Sequence, residues 1–196
     1  MNDIVNIVPA MPDDALALSD MFYANLSTHS GYISHGEVQM GVGKLSFDGE
    51  KYVPSVVPES RPLWHTYIME HIDADDMAVL KALLPDGSIA GFCVLEDSED
   101  GGDHFGVLCD ILVNPDIRGR GIGSALLDAA LGWFASRGLK DVYLESGKDN
   151  HPAHEFFMSK GFFKVSEVYA RIGQQHMTSM PGAEGINDRK FFRFHN

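Results

Sequence analysis

Two cysteines, Cys93 and Cys109, are all that the 196 residues contain. They form no Cys-x-x-Cys pair, so a redox or zinc motif of that spacing is excluded. Both sit inside apolar runs and read as buried strand thiols of a reducing compartment. Cations are scarce as well. Fifteen Lys and Arg stand against 28 Asp and Glu, a formal net charge of −13. Nucleic-acid binding, which needs clustered cations against phosphate, is disfavoured. The acid excess suits solubility first and the attraction of a cationic ligand second. No apolar run approaches the roughly 20 residues of a membrane span. The opening Met1-Asn2-Asp3-Ile4 has no basic segment followed by a long apolar one, so no signal peptide is expected. A cytoplasmic protein without membrane contact is the expectation.

Two catalytic signatures are missing too. Gly-Lys-Ser/Thr is absent, which removes a Walker A loop. His-Glu-x-x-His is absent: His151 and His154 lie three apart with Glu155 behind them. That spacing suits a helix surface or cap, and no metal is expected. His65, His71 and His104, each read as structural or exposed, are the remaining histidines considered for an acceptor side.

What is present is a core. Hydrophobic residues make up 44% and charged residues 22%, ordinary for a globular chain. The length suits a single domain over 1–196, with a loop-rich insertion at about 28–62 and a C-terminal extension from about 173. Ile4 to Val8 reads as a strand. Asp13 and Asp14 open a helix through Leu26. Residues 28–62 show no sustained period and suit a substrate-side lid or an inert insertion. A helix follows over Leu63–His71. Strands at Met77–Leu84 and Ile89–Leu95 flank the turn Pro85-Asp86-Gly87-Ser88. Glu96 to Asp103 reads as a polar connection, and His104–Val113 as the next strand. Apolar residues Ile122, Ala125, Leu126, Ala129, Trp133 and Phe134 share one helical face, with Gly138 closing the helix. Asp141–Ser146 reads as a strand. Asn150 caps a helix ended by Gly161. Phe162–Ile172 and Arg189–His195 read as further strands.

The chemistry lies in the strand–turn–helix at 107–137. Successive glycines let backbone N–H groups curl inward, and a helix N-terminus adds positive potential. Such a turn holds a pyrophosphate, with Arg118 and Arg120 beside it. Two other readings stay open here. Gly119-x-Gly121-x-x-Ser124 approaches a dinucleotide fingerprint, with Glu145 about 20 residues on. A tight packing turn is the plainer one.

Arg118-Gly119-Arg120-Gly121-Ile122-Gly123 resembles the Arg/Gln-x-x-Gly-x-Gly/Ala signature of the GNAT superfamily of N-acetyltransferases. Asp110-Ile111-Leu112-Val113-Asn114-Pro115 is similar to that family's fourth strand and the turn after it. Asn150-x-x-Ala153-x-x-Phe156-Phe157-x-x-x-Gly161-Phe162 is similar to its second conserved stretch. The resemblance covers residues 76–172. It implies a mixed α/β (α+β) fold, with a largely antiparallel central sheet and helices on both faces. It implies acetyl-CoA as cosubstrate, with the amides of Arg118, Gly119, Arg120, Gly121, Ile122, Gly123 and Ser124 around the pyrophosphate. Ile111, Leu112 and Val113 would pair with the pantetheine arm, and Asn150 and Phe156 would flank it across a splayed sheet. The Leu112 N–H would stabilise the oxyanion. A primary amine of a small molecule or peptide would attack directly. By analogy a homodimer is possible.

One position departs from that pattern. The residue four before Gly161 is commonly a tyrosine that protonates the leaving thiolate, and here it is Phe157. Tyr143 and Tyr169 are the sequence's alternatives. For the base, Asp110 stands two residues before Leu112, on the same strand face. A structural carboxylate is the competing reading of Asp110. Trp64, Tyr32 and Phe22 read as core more readily than as acceptor pocket. Two rival functions remain at this stage: a non-catalytic acyl-CoA-binding or sensing module, which Phe157 favours, and a NAD-dependent oxidoreductase.

Overall fold

Over residues 5–170, which the computed structural model describes, the chain runs through seven strands and five α-helices. In order they are β1 (Asn6–Pro9), α1 (Ala15–Thr28), α2 (His35–Gln39), β2 (Gly43–Phe47), β3 (Tyr52–Val56), α3 (Arg61–Asp73), β4 (Met77–Leu83), β5 (Ile89–Asp100), β6 (Asp103–Val113), α4 (Ile122–Ser136), β7 (Val142–Tyr143) and α5 (His151–Ser159). Five strands form one sheet in the order β1-β4-β5-β6-β7. All its pairings are antiparallel except β6 with β7.

Period-two alternation sorts the side chains of this sheet onto two faces. From β5, Phe92 and Val94 join the core under α1 and α3, while Cys93 and Leu95 join the core under α4 and α5. In the first core, Phe22 stacks on Trp64 with ring centroids 4.3 Å apart and meets Phe92 edge-on at 4.8 Å. Trp64 and Phe22 are therefore core residues, buried to 0% and 4% exposure. Burying each such ring contributes about 1.5–3 kcal/mol. On the other face, Leu126, Ala130 and Phe134 form the apolar stripe of α4. The fold is thus the mixed, largely antiparallel sheet with helices on both faces that the resemblance implied.

Four local expectations change. Residues 28–62 are more ordered than a loop, since β2 and β3 pair from Gly43↔Val56 to Phe47↔Tyr52. The Asp48 carboxylate closes that hairpin by accepting the N–H groups of Glu50 and Lys51, both at 2.9 Å. Glu96–Asp103 is not a connection. β5 and β6 stay paired out to Asp100↔Asp103, because backbone pairing at an exposed hairpin end tolerates acidic side chains. The strand expected at 141–146 pairs over only two residues. Residues 162–170 form no strand, and Phe163, Val165, Val168 and Tyr169 are exposed there. An alternating apolar pattern makes a strand only where a partner edge is supplied. The end of that segment and the strand read at 189–195 lie outside the described residues. Among the described residues no helix is long and apolar enough to cross a membrane.

Candidate active site

β6 carries the site, and two irregularities shape it. The first is a bulge. Val94 pairs with Asp110 and Leu95 with Leu108, which leaves Cys109 as an extra residue. A bulge re-aims side chains. Here Leu108 packs in the α4 core, Cys109 packs against the α1–α3 core, and Asp110 reaches Tyr67 of α3. Two consecutive residues thus face one side of the sheet.

The second irregularity is a splay. β7 pairs with β6 only at Gly106↔Val142 and Val107↔Tyr143. Beyond Tyr143 the chain is drawn off toward residues 31–37. The Glu145 carboxylate accepts the His35 N–H at 2.7 Å. Gly147 lies so close to Tyr32 that a β-carbon would sit 2.3 Å from the Tyr32 carbonyl oxygen. Among the described residues, β6 beyond Val107 therefore has no paired strand on its outer edge.

Register decides which amides that edge offers. The Asn114 N–H donates to the Ala90 carbonyl at 2.9 Å, so Asn114 faces β5. Alternate residues of an antiparallel ladder face the same neighbour. Leu112, opposite Phe92, then also faces β5, while Ile111 and Val113 face outward. The Val113 carbonyl agrees, since it accepts Arg118 Nε at 3.2 Å from the open side. This corrects the expectation for Leu112: its N–H belongs to the sheet, and the edge amides belong to Ile111 and Val113. Leu112 itself is core, 5% exposed.

The outer edge leads into the glycine turn. Gly119 and Gly121 adopt φ of 78° and 85°, conformations that any side chain would strain. Gly121 caps α4, and the Ala125 N–H makes the first bond back to it at 3.0 Å. The N–H groups of Ile122, Gly123 and Ser124 come before that first bond, so they lack intrahelical partners and carry the positive end of α4. Arg118 does not reach out beside the turn. Its guanidinium ties the turn to Asn25 of α1 at 2.9 Å. Arg120 is exposed. Across the splay, Asn150 caps α5 by accepting the Ala153 N–H at 3.4 Å, and Phe156 packs against the core that holds Ile111 and Val113.

At the inner end of the splay, on the α1–α3 side, is a cavity lined by Glu37, Met40, Tyr67, Cys109, Asp110 and Glu145, among others. The Tyr67 hydroxyl donates to Asp110 Oδ2 at 2.5 Å, a bond that orients the carboxylate. Tyr67 is 1% exposed. No Lys or Arg is among the described residues lining this cavity. Three carboxylates share this one partly desolvated space.

Tyr67, Glu37 and Glu145 escaped the reading of the sequence as cavity groups, because they converge from α3, α2 and the end of the splay. One signal was present: Ser34-x-x-Glu37 spells a capping box. In the structure Glu37 accepts both the Ser34 N–H, at 2.7 Å, and the Ser34 hydroxyl. Burial nevertheless raises the Glu37 pKa. The Ser34 bonds oppose the rise and the nearby Glu145 charge adds to it. A raised folded-state pKa means that the stability Glu37 contributes is full below its unfolded value and is lost as pH climbs through the folded one. Glu37→Gln stays neutral throughout. From pH 4.5, the ordinary glutamate value, toward neutrality, the native protein should therefore lose stability relative to this variant. Chemical denaturation across that range checks it, and parallel curves would refute it.

The other candidates separate cleanly. Phe157 is 8% exposed and packs in the α4 core against Phe156 and Phe162. Tyr143 stacks edge-on with Phe105, and Tyr169, 86% exposed, bonds Glu167; neither lines the cavity. Cys93 is inert, its thiol pushed up to about 12 by burial. Cys109, expected to be buried, is only half-buried and reaches the cavity. His104 is exposed and paired with Asp97, His65 is exposed, and His71 is buried.

Comparison with known proteins agrees with this geometry. The profile of the acetyltransferase (GNAT) family matches residues 47–162. An uncharacterized N-acetyltransferase of Methanocaldococcus jannaschii is 45% identical over 53 residues, 27% of this chain and 24% of that protein. The chain spans about a quarter of the length of the curated relatives it matches. Among solved structures, the BH1408 protein of Bacillus halodurans aligns with a TM-score of 0.65 at 14% identity, over 85% of this chain and 99% of that one. A predicted acetyltransferase of Clostridium acetobutylicum, solved with acetyl-CoA, aligns with a TM-score of 0.59 at 13% identity, over 88% and 98%. At such identities the likeness is one of fold.

An open strand edge ending at a glycine turn thus coincides with a family profile covering more than half of the chain. The protein belongs to the acetyltransferase (GNAT) family. The dinucleotide reading falls with the topology, because β6 runs antiparallel to β5 where a doubly wound sheet needs parallel strands.

Proposed function

We propose that this chain transfers an acetyl or another short acyl group from acetyl-CoA to a primary amine, by direct attack in a ternary complex. The observation that carries the reading is the continuous path along β6, from the Arg118–Ser124 turn down an unpaired edge to the acidic cavity at Asp110. A pyrophosphate fits the amides of the turn. An extended pantetheine arm fits an unpaired strand edge, as an added strand would. The Ile111 N–H, in place of that of Leu112, faces the thioester oxygen and stabilises the oxyanion as it forms. Asn150 and Phe156 flank the arm from the far side of the splay.

The amine enters as a cation attracted by Glu37, Asp110 and Glu145. Asp110 removes its proton, and the neutral nitrogen attacks the thioester carbon. Carbon–nitrogen bond formation and carbon–sulfur bond cleavage then release CoA as its thiolate, which takes up, through solvent, the second proton that the nitrogen loses as the amide forms. Tyr67 positions Asp110. A small-molecule or peptide amine is the acceptor class, and residues 34–40 form the wall it meets. A non-catalytic acyl-CoA sensor is the second reading, favoured by the phenyl ring of Phe157 where a proton donor is common.

Thermal unfolding with acetyl-CoA, CoA, NADH and ATP in parallel, followed by a free-thiol assay over a panel of amines, tests the proposal. Acetyl-CoA and CoA alone should stabilise, by about 2.7 kcal/mol at 100 times the dissociation constant. Thiol release should then depend on the amine. Stabilisation by NADH alone, or by nothing, would overturn the reading. Tight CoA binding without turnover on any amine would favour the sensor.

A further inference from the structure

Behind the cavity wall, three side chains that are distant in sequence converge. His71 comes from the last turn of α3, Glu96 from β5 and Cys109 from the bulge of β6. Each offers one ligand atom, and these atoms lie within 4.8 Å of one another. His71 is 2% exposed. Its Nδ1 lies 2.8 Å from the Tyr67 carbonyl, which fixes Nδ1 as the protonated nitrogen and leaves Nε2 as the coordinating one. Glu96 Oε1 accepts the Ser98 hydroxyl at 2.8 Å, while Oε2 lies 4.0 Å from Cys109 Sγ. Two of the three groups are thus held by a second interaction, as metal ligands commonly are.

We propose that His71, Glu96 and Cys109 bind a Zn²⁺ ion. One imidazole, one thiolate and one carboxylate are a donor set for a borderline ion such as zinc rather than for Mg²⁺ or Ca²⁺. Bonds of about 2.0–2.3 Å place tetrahedral ligands about 3.2–3.8 Å apart, so binding draws the three atoms together by about 1 Å. The Cys109 thiol loses its proton to solvent as the Zn–S bond forms. Three protein ligands leave a fourth position, and Cys109 shares the lining of the cavity with Asp110 and Tyr67. Spacing in the chain gave no sign of this site, because 25 and 13 residues separate successive ligands and the Cys109 side chain depends on the bulge. The proposal does not depend on acetyl transfer.

Cobalt(II) titration of the chelator-treated full chain is the test, since a thiolate ligand gives Co²⁺ an intense near-ultraviolet charge-transfer band. The expected result is one equivalent bound with that band, displaced by one equivalent of Zn²⁺. Cys109→Ser should remove the band while its thermal transition stays cooperative. Glu96→Gln should keep the band and weaken the metal by about 10- to 100-fold. A folded native chain that gives no band, or binds less than one equivalent, overturns the site. So does a band that survives Cys109→Ser, because it would move the metal to Cys93.

Discussion

Asp110→Asn is expected to lower kcat/KM for amine acetylation by about 10²- to 10⁴-fold, the range that a positioned base contributes. The substitution is nearly isosteric, and the amide oxygen it introduces still accepts the Tyr67 hydroxyl, so stability should change little. Affinity for acetyl-CoA should stay the same, because Asp110 faces the cavity and the edge amides belong to Ile111 and Val113. The deficit should shrink at high pH, where the amine loses its proton without help. Tyr67→Phe should cost less, since it removes an orienting bond and leaves the base. Steady-state kinetics over a pH series, with calorimetric titration of acetyl-CoA, separates these outcomes. An unchanged kcat/KM for Asp110→Asn would leave the carboxylate structural and pass the proton to water or to Glu37 or Glu145.

Gly121→Arg is expected to weaken acetyl-CoA binding by about 100-fold or more. The new side chain fills the space in front of the first amides of α4 and disturbs their aim. Hydrogen bonds to a charged group contribute about 1.5–3 kcal/mol each, so losing two crosses that threshold. A non-glycine residue at φ of 85° also costs about 1–2 kcal/mol of stability. A cooperative unfolding transition must therefore accompany the titration. Unchanged affinity in a folded variant would remove the turn from the binding site.

Where the backbone needs a particular residue, the sequence announced it. Gly119 and Gly121 sit at positive φ, Asn150 caps α5, and the apolar stripe of α4 is written at spacings of three and four. The glycine turn and the two helix starts of the candidate site were legible for that reason. Features set by pairing partners were not. No residue type marks Cys109 as a bulge, and that one extra residue aims it and Asp110 at the same side. The resemblance implied the Leu112 N–H as the outward amide, and no residue type could correct it, because the direction of each N–H is fixed by the neighbouring strand. The hairpin at 43–56 was partly legible, since Asp48-Gly49 between strand-forming residues is a turn signal. At 162–170 the pattern promised a strand that has no partner edge among the described residues. The cavity depends on contacts across 43 residues for Tyr67 and Asp110, and across 110 for His35 and Glu145.

α2 is five residues long and joins no strand of the main sheet, yet it supplies Glu37 to the acidic wall. It is held by its own capping box, by one bond to Glu145, by the Val42 N–H on the Glu37 carbonyl, and by Val38 and Met40 packed on the α1–α3 core. Changes in this short helix can therefore retune which acceptors enter without disturbing the strand and turn that receive the donor. Under the proposed function, the two substrates would be read by parts of the chain free to diverge at different rates. One unchanging thioester could in this way serve many different nucleophiles over evolutionary time.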